Sequence, residues 1–327
     1  MIDLHLHLDG SLSPEFLTGL MRRQGLNLTK EEIEKKVVAD SRVSSLNDYL
    51  EKFDFPLSLL QTEEAIMEAV YHLVDRLNSE NMLYAEIRFA PQLHTKRGLS
   101  IDRVIRASCE ALKMANGSFT TKAQLILCCM RGGVENKLDN IKTIEDGRKY
   151  LGQGVCAIDL AGAEGLYPTK DFGYLFEICN GVDMPFIVHA GEDGDTGSVR
   201  FAVENGAKRI GHGIALKEDE GLLKEVVERE IGIEMCLSSN LQTRAIKNIE
   251  EFPIRKFLSA GALVTVNTDN MTVSNTTIQK EFDLLTNEFM LTKEEKTTLL
   301  SNAIKVSFLS PQDKAKLMLT TLGGKIK

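Results

Sequence analysis

The chain has 327 residues, 43% hydrophobic and 26% charged, proportions of a globular protein with ample material for a core. Its formal net charge of −8 repels a polyanion, and no basic stripe is present to neutralise phosphates, which excludes a nucleic-acid partner and favours a small molecule. No apolar run approaches the ~18 residues of a membrane span, and the charged start Met1-Ile2-Asp3 lacks a signal-peptide pattern, so the expected compartment is the cytoplasm.

In chain order, short β-rich apolar runs alternate with longer segments of helical periodicity. The first run, Ile2–Leu8, is followed by Ser13-Pro14-Glu15, an N-cap with a proline at the first helical position, and Gly25 can end that helix in a left-handed conformation. The next apolar run begins only at Leu83, a gap longer than one crossover helix requires, so several helices are expected to be inserted after the first strand. Inside the gap, Leu46, Tyr49, Leu50 and Phe53 recur at i, i+3, i+4 and i+7, the apolar face of one helix. Such a face either packs on a core or covers the mouth of a barrel. The remaining predicted strands are Leu83–Ala90, Ala123–Met130, Val155–Leu160, Pro185–His189, Arg209–Gly211, Ile231–Leu237 and Leu263–Thr268. Near the C-terminus, Thr292 and Glu295 form a capping box.

Eight strands with helical crossovers predict a (β/α)8 TIM barrel in a single domain over 1–327, although spacing alone also admits a doubly wound open sheet. The six cysteines, Cys109, Cys128, Cys129, Cys156, Cys179 and Cys236, make no C-x-x-C spacing. They read as buried thiols in a reducing compartment.

Four of the six histidines fall at ends of predicted strands. His5 and His7 are two apart on one strand, so both project to the same inward face and can share a metal ion. His189 closes Phe186-Ile187-Val188-His189 before Ala190-Gly191-Glu192, and His212 sits between Gly211 and Gly213, where ligand and backbone can approach closely. Asp269 ends Asn267-Thr268-Asp269, a place where an Asx-turn or helix N-cap would equally use an aspartate. The ends of strands one, five, six and eight converge in a closed barrel and cannot do so in an open sheet. His5, His7, His189 and Asp269 are therefore assigned as ligands of one metal ion, with a coordination position left for water. Nitrogen and carboxylate donors without thiolate suit zinc and also admit other divalent transition metals. His72 and His94 lie outside these motifs and read as surface or packing residues.

The segments Asp3–Ser11, Lys52-Phe53-Asp54, Glu86-Ile87-Arg88, Asp159-Leu160-Ala161-Gly162, His189-Ala190-Gly191-Glu192, Arg209–Gly213, Ser239-Asn240 and Asn267-Thr268-Asp269 resemble, in order and nearly end to end, the adenosine deaminase family of the amidohydrolase superfamily. The resemblance implies a barrel with one zinc at its C-terminal mouth. It also implies hydrolytic deamination of adenosine, with 2′-deoxyadenosine as a further substrate, to inosine and ammonia by zinc-hydroxide attack at C6. Glu192 would handle the proton at purine N1, and His212 would orient or deprotonate the attacking water. Gly162 would contact N3 through its backbone N–H, and His7 and Asp9 would face the ribose 5′-hydroxyl. The stripe through Leu46, Tyr49, Leu50 and Phe53 resembles the family's apolar cover over the substrate.

Given that substrate, zinc lowers the pKa of bound water to roughly 7, and an acid at N1 stabilises the charge that develops there. Burial would raise the pKa of Glu192 and keep it protonated for that task. Many members of the family carry a second aspartate after the metal-binding one, at the position that faces purine N7. This chain has Asn270, whose amide can donate to N7 where an ionised aspartate cannot. Alternative substrates on the same scaffold are adenine, an N6-substituted adenine or a 5′-modified nucleoside; Asp9 disfavours a 5′-phosphate by charge repulsion. A non-catalytic zinc-binding protein is the other class, but a structural site has no need of Glu192 or His212.

Overall fold

In the computed structural model, which describes residues 1–40, 43 and 45–322, eight parallel strands follow one another in chain order around a barrel. They are β1 (Ile2–His7), β2 (Tyr84–Phe89), β3 (Lys122–Met130), β4 (Val155–Ala161), β5 (Phe186–Ala190), β6 (Arg209–His212), β7 (Gly232–Met235) and β8 (Leu263–Val266). Each overlaps its predicted run. The largest differences are at β7 and β8, which stop two residues early, because the chain turns there into site-forming segments.

The last strand meets the first, which decides between the closed barrel and the open sheet. His7 N donates to Asp269 O at 2.7 Å and Asp269 N to His5 O at 2.8 Å. Below this pairing side chains complete the seam: Leu4 N donates to Asn267 Oδ1 at 3.0 Å, and Asp3 Oδ2 accepts from Thr268 N and Thr268 Oγ1 at 3.2 and 2.6 Å.

The expected insertion between β1 and β2 comprises α1 (Pro14–Arg23), α2 (Lys30–Val37), α3 (Leu46–Leu50), α4 (Asp54–Leu59) and α5 (Glu63–Ser79). The caps act as the sequence suggests: Ser13 Oγ accepts from Phe16 N, and Gly25 follows the helix at φ +75°. The apolar stripe does not lie on one continuous helix. A 3-10 turn, Glu51–Phe53, separates α3 from α4, because Pro56 has no N–H to bond the carbonyl four residues back and its ring crowds that carbonyl.

The crossovers are α6 (Ile101–Ser118), α7 (Lys137–Arg148), α8 (Gly173–Gly181), α9 (Thr196–Glu204) and α10 (Glu220–Glu228). After β7 come α11 (Leu237–Gln242) and α12 (Ile254–Ser259), and after β8 come α13 (Ile278–Phe289), α14 (Lys293–Val306) and α15 (Pro311–Leu322). Thr292 and Glu295 form their capping box at the start of α14. All six cysteines are free and buried, and His94 is a packing residue, its Nδ1 2.8 Å from Leu60 O. Among the described residues, no helix is long and apolar enough to cross a membrane.

Side chains alternate across each strand, and the interior of the barrel carries charge where an all-apolar filling would suffice for stability. Arg209 donates to Glu86 and to Glu234, both at 2.5 Å. Arg88 donates to Glu234 at 2.8 Å and to Asp159 at 2.9 Å. All five side chains are fully buried. Signs alternate along the chain, so each arginine neutralises two acids in a region where an isolated charge would be costly. Glu86 is further held by Tyr84 Oη and Phe308 N.

Removing one arginine leaves two carboxylates without their shared cation. The variant Arg209→Met is expected to lose ~3–5 kcal/mol of stability, measured by equilibrium urea denaturation. A loss below about 1 kcal/mol would show that water replaces the guanidinium.

Candidate active site and metal centre

A cavity of about 290 Å³ opens at the C-terminal ends of the strands. One part of its wall is formed by His7, His189, Glu192, His212 and Asp269, another by Leu46, Tyr49, Leu50 and Phe53. The stripe thus faces the cavity, while Tyr49 and Phe53 also pack on Val273; Tyr49 Oη lies 2.7 Å from Ser274 Oγ.

The predicted donors come together. One ligand atom from each of His5, His189, His212 and Asp269 lies within 4.8 Å of all the others. His7 Nε2 stands 3.3 Å from both His189 Nε2 and Asp269 Oδ1. That group of four includes His212 where the sequence suggested His7. His212 ends β6 opposite Ala190, one residue beyond His189 on β5, and its side chain is 2% exposed against 14% for His7.

What stands behind each imidazole separates their roles. His5 Nδ1 bonds Glu234 Oε2 at 2.8 Å, and His5 Nε2 is buried with no hydrogen-bond partner, 3.3 Å from Asp269 Oδ1. His189 Nδ1 faces Asp159 Oδ2 at 2.8 Å. A carboxylate behind Nδ1 fixes the tautomer that leaves the Nε2 lone pair free, the arrangement of metal-ligating histidines. Both carboxylates belong to the buried ion chain. Burial alone would raise them, but His189 and Arg88 hold Asp159 below the usual range, and Arg88 and Arg209 hold Glu234 there. His212 differs: its Nδ1 meets the neutral Asn240 side chain at 3.0 Å, and its Nε2 lies 3.6 Å from Glu192 Oε2. Nitrogens and a carboxylate oxygen crowded at 3.3 Å with an unpartnered buried Nε2 fit a cation between them, so the site is a possible metal centre.

The short helix α11, whose start the sequence reading placed inside a strand, serves three of these groups. Ser239 Oγ donates to Asp269 Oδ2 at 2.5 Å, Asn240 contacts His212, and Thr243 Oγ1 just beyond the helix donates to Glu192 Oε1 at 3.0 Å. Asp269 is therefore neither an Asx-turn nor a helix cap. It and His212 occupy the left-handed region, at φ +59° and +63°, strain that costs of order 1–3 kcal/mol for each such residue and concentrates at functional sites.

The adenosine deaminase family model matches residues 1–321. The chain belongs to the adenosine deaminase family. It is 46% identical over 325 residues to the adenosine deaminase of Haemophilus ducreyi, covering 97% of this chain and 94% of that one. The adenosine deaminase of Enterococcus faecalis is 38% identical, again covering 97% and 94%. Among solved structures, adenine deaminase from Arthrobacter aurescens superposes with a TM-score of 0.89 at 26% identity, over 99% of this chain and 98% of that chain. The protein is an enzyme of purine metabolism, a hydrolase that deaminates adenosine.

The remaining wall of the cavity carries the other residues that the sequence assigned to substrate. Gly162, at φ +106°, turns the chain after β4, and Asp9 and Asn270 line the same space. Asp9 Oδ1 and Asn270 Oδ1 are buried acceptors without a hydrogen-bond partner. The sequence reading missed Glu234, Thr243 and Arg131; the last bonds His189 O. Glu234 had a usable signal, a single acid in an otherwise apolar predicted strand, whereas Thr243 had none.

Gly10 shows how tightly the wall is built. A Cβ there would overlap Asn270 Oδ1 and come within 2.9 Å of the Phe53 ring. Gly10→Ala is expected to displace Asn270 and raise the KM for adenosine about tenfold, the effect of one lost hydrogen bond. An unchanged KM in steady-state assays would show that Asn270 is not held against substrate.

Proposed function

We propose that the deaminase holds one zinc ion with His5, His7, His189 and Asp269, and that it accepts 2′-deoxyadenosine beside adenosine. The observation that carries the metal assignment is the unpartnered, buried Nε2 of His5 backed by Glu234. Three imidazole nitrogens and one carboxylate without thiolate suit zinc. His212 is set apart by the neutral amide behind its Nδ1. Bound zinc supplies Lewis acidity that brings the pKa of water down to ~7.

The chain's own groups do the rest. Burial, with the charge of Asp269 adding to it, pushes the Glu192 carboxyl up to about 8, so it is protonated at neutral pH and can donate at purine N1. Thr243 occupies Glu192 Oε1, which leaves Oε2 to carry the proton. Burial pulls the His212 imidazole well below the ordinary histidine range, so it is neutral and, with Asp269, orients the attacking water and receives its proton. Attack at C6 sends ring electrons toward N1, where the Glu192 proton meets them. His212 then passes the water's proton to the amino group, which leaves as ammonia while the C6 hydroxyl becomes the carbonyl of inosine and returns its proton to Glu192.

In this reading the Gly162 N–H meets N3 and the Asn270 amide donates to N7. His7 and Asp9 face the 5′-hydroxyl. Burial raises Asp9 to about 6, still ionised at neutral pH and repulsive to a 5′-phosphate. Leu46, Tyr49, Leu50 and Phe53 close the cavity against water. Free, buried cysteines suit a reducing compartment, and we place the enzyme in the cytoplasm.

Ultraviolet loss of adenosine absorbance is expected to disappear on treatment with a chelator and to return with zinc. Activity that survives complete metal removal would overturn the metal assignment, and faster turnover of adenine or adenosine monophosphate would overturn the substrate reading. The Glu192 role predicts a pH profile with a definite sign: the acid form is lost as pH rises, so kcat/KM falls above about pH 8. Glu192→Gln, which keeps a donor but cannot transfer a proton, should lose ~10²–10⁴-fold in kcat. Wild-type activity flat to pH 10 would count against this acid.

A further inference from the structure

The buried carboxylate of Glu164 takes no part in the chemistry above. It lies in the loop after β4, two residues beyond Gly162, and is 3% exposed. Its oxygens accept three successive main-chain N–H groups from the loop after β5. Gly191 N donates to Oε1 at 2.8 Å, and Glu192 N and Asp193 N donate to Oε2 at 3.0 and 3.1 Å. The middle donor is the backbone of the residue assigned as the acid at N1.

Two further contacts join the same loops. A Cβ on Gly165 would overlap the Asp193 carboxylate, so the absence of a side chain lets the loops approach. From the end of β3, Arg131 donates to Tyr167 O at 2.7 Å, Thr169 Oγ1 at 2.9 Å and His189 O at 2.5 Å. Glu164 and Arg131 thus aim opposite charges at polar groups of neighbouring loops. Successive N–H groups converging on an anion form a nest, which has one preferred geometry.

We propose that Glu164 is a positioning residue for the purine: by clamping the Glu192 loop to the Gly162 loop it fixes the spacing between the carboxyl at N1 and the N–H at N3. This rests on the reading of Gly162 and Glu192 given under the proposed function. The carboxylate holds both contacts in register for one flat six-membered ring. Without the clamp, a substrate can meet one contact or the other but gains little from having both.

The test compares adenosine with 3-deazaadenosine, which presents C–H in place of N3, on the zinc-loaded enzyme and on Glu164→Gln. The wild type is expected to favour adenosine by about tenfold or more in kcat/KM, the effect of one hydrogen bond. In Glu164→Gln the amide cannot accept all three N–H groups. Turnover of adenosine should fall about tenfold or more, and the preference over 3-deazaadenosine should shrink to about two- to threefold, with zinc content and melting temperature near wild type. Equal losses for both substrates, with the preference intact, overturn the inference and leave Glu164 a structural residue; an unchanged kcat/KM overturns it as well. Absence of preference in the wild type instead overturns the Gly162 contact, and the inference with it. If Glu164→Gln does not accumulate as folded protein, Glu164→Asp, with the charge kept on a shorter arm, is read by the same ratio.

Discussion

Alternating charges along the barrel axis are the constraint on which the site depends. Glu86, Arg209, Glu234, Arg88 and Asp159 form one buried chain, and the last two of its acids present an oxygen to His5 and His189. Neither imidazole could keep its Nε2 lone pair directed at the Asp269 cluster if the carboxylate behind it were free to rotate or to take up a proton. The arginines prevent both. A barrel filled with branched aliphatics would be simpler to stabilise, but it would offer nothing to set the tautomers of its ligands.

Around that fixed centre, the groups that line the cavity are carried on loops and held from their far sides. One turn of α11 touches Asp269, His212 and, through Thr243, Glu192. Glu281 anchors the start of that turn, accepting from Ser238 N and from Thr276 Oγ1. The helical insertion supplies the apolar wall, pinned by Tyr49 to Ser274. Chemistry, recognition and cover therefore come from different stretches of chain, each oriented by a hydrogen bond from a residue that is itself buried.

Much of this was legible in the sequence because the signals are local. Strand periodicity placed His5 and His7 on one face, and the caps at Ser13 and Thr292 act where composition put them. The convergence of His189, His212 and Asp269 followed from barrel closure. The ion chain was not legible, because Glu234 stands out as a lone acid in an apolar run but its partners Arg88 and Arg209 come from strands far away in sequence. Glu164 sits in an ordinary-looking Ala-Glu-Gly loop, and its partners are backbone N–H groups that no sequence pattern advertises. The stripe at 46–53 gave the right face but the wrong continuity, since periodicity cannot register that Pro56 withholds a donor four residues downstream.

The seam between β1 and β8 bears on how the chain comes to be active. Two of the assigned ligands, His5 and His7, are made first, and Asp269 arrives with the final strand, bonded backbone to backbone with both. A ribosome that has released two-thirds of the polypeptide holds a sheet with an open edge and no complete coordination sphere. Contacts so distant in sequence form late and slowly. The cluster of imidazoles and carboxylate is thereby completed only at the closing event of folding.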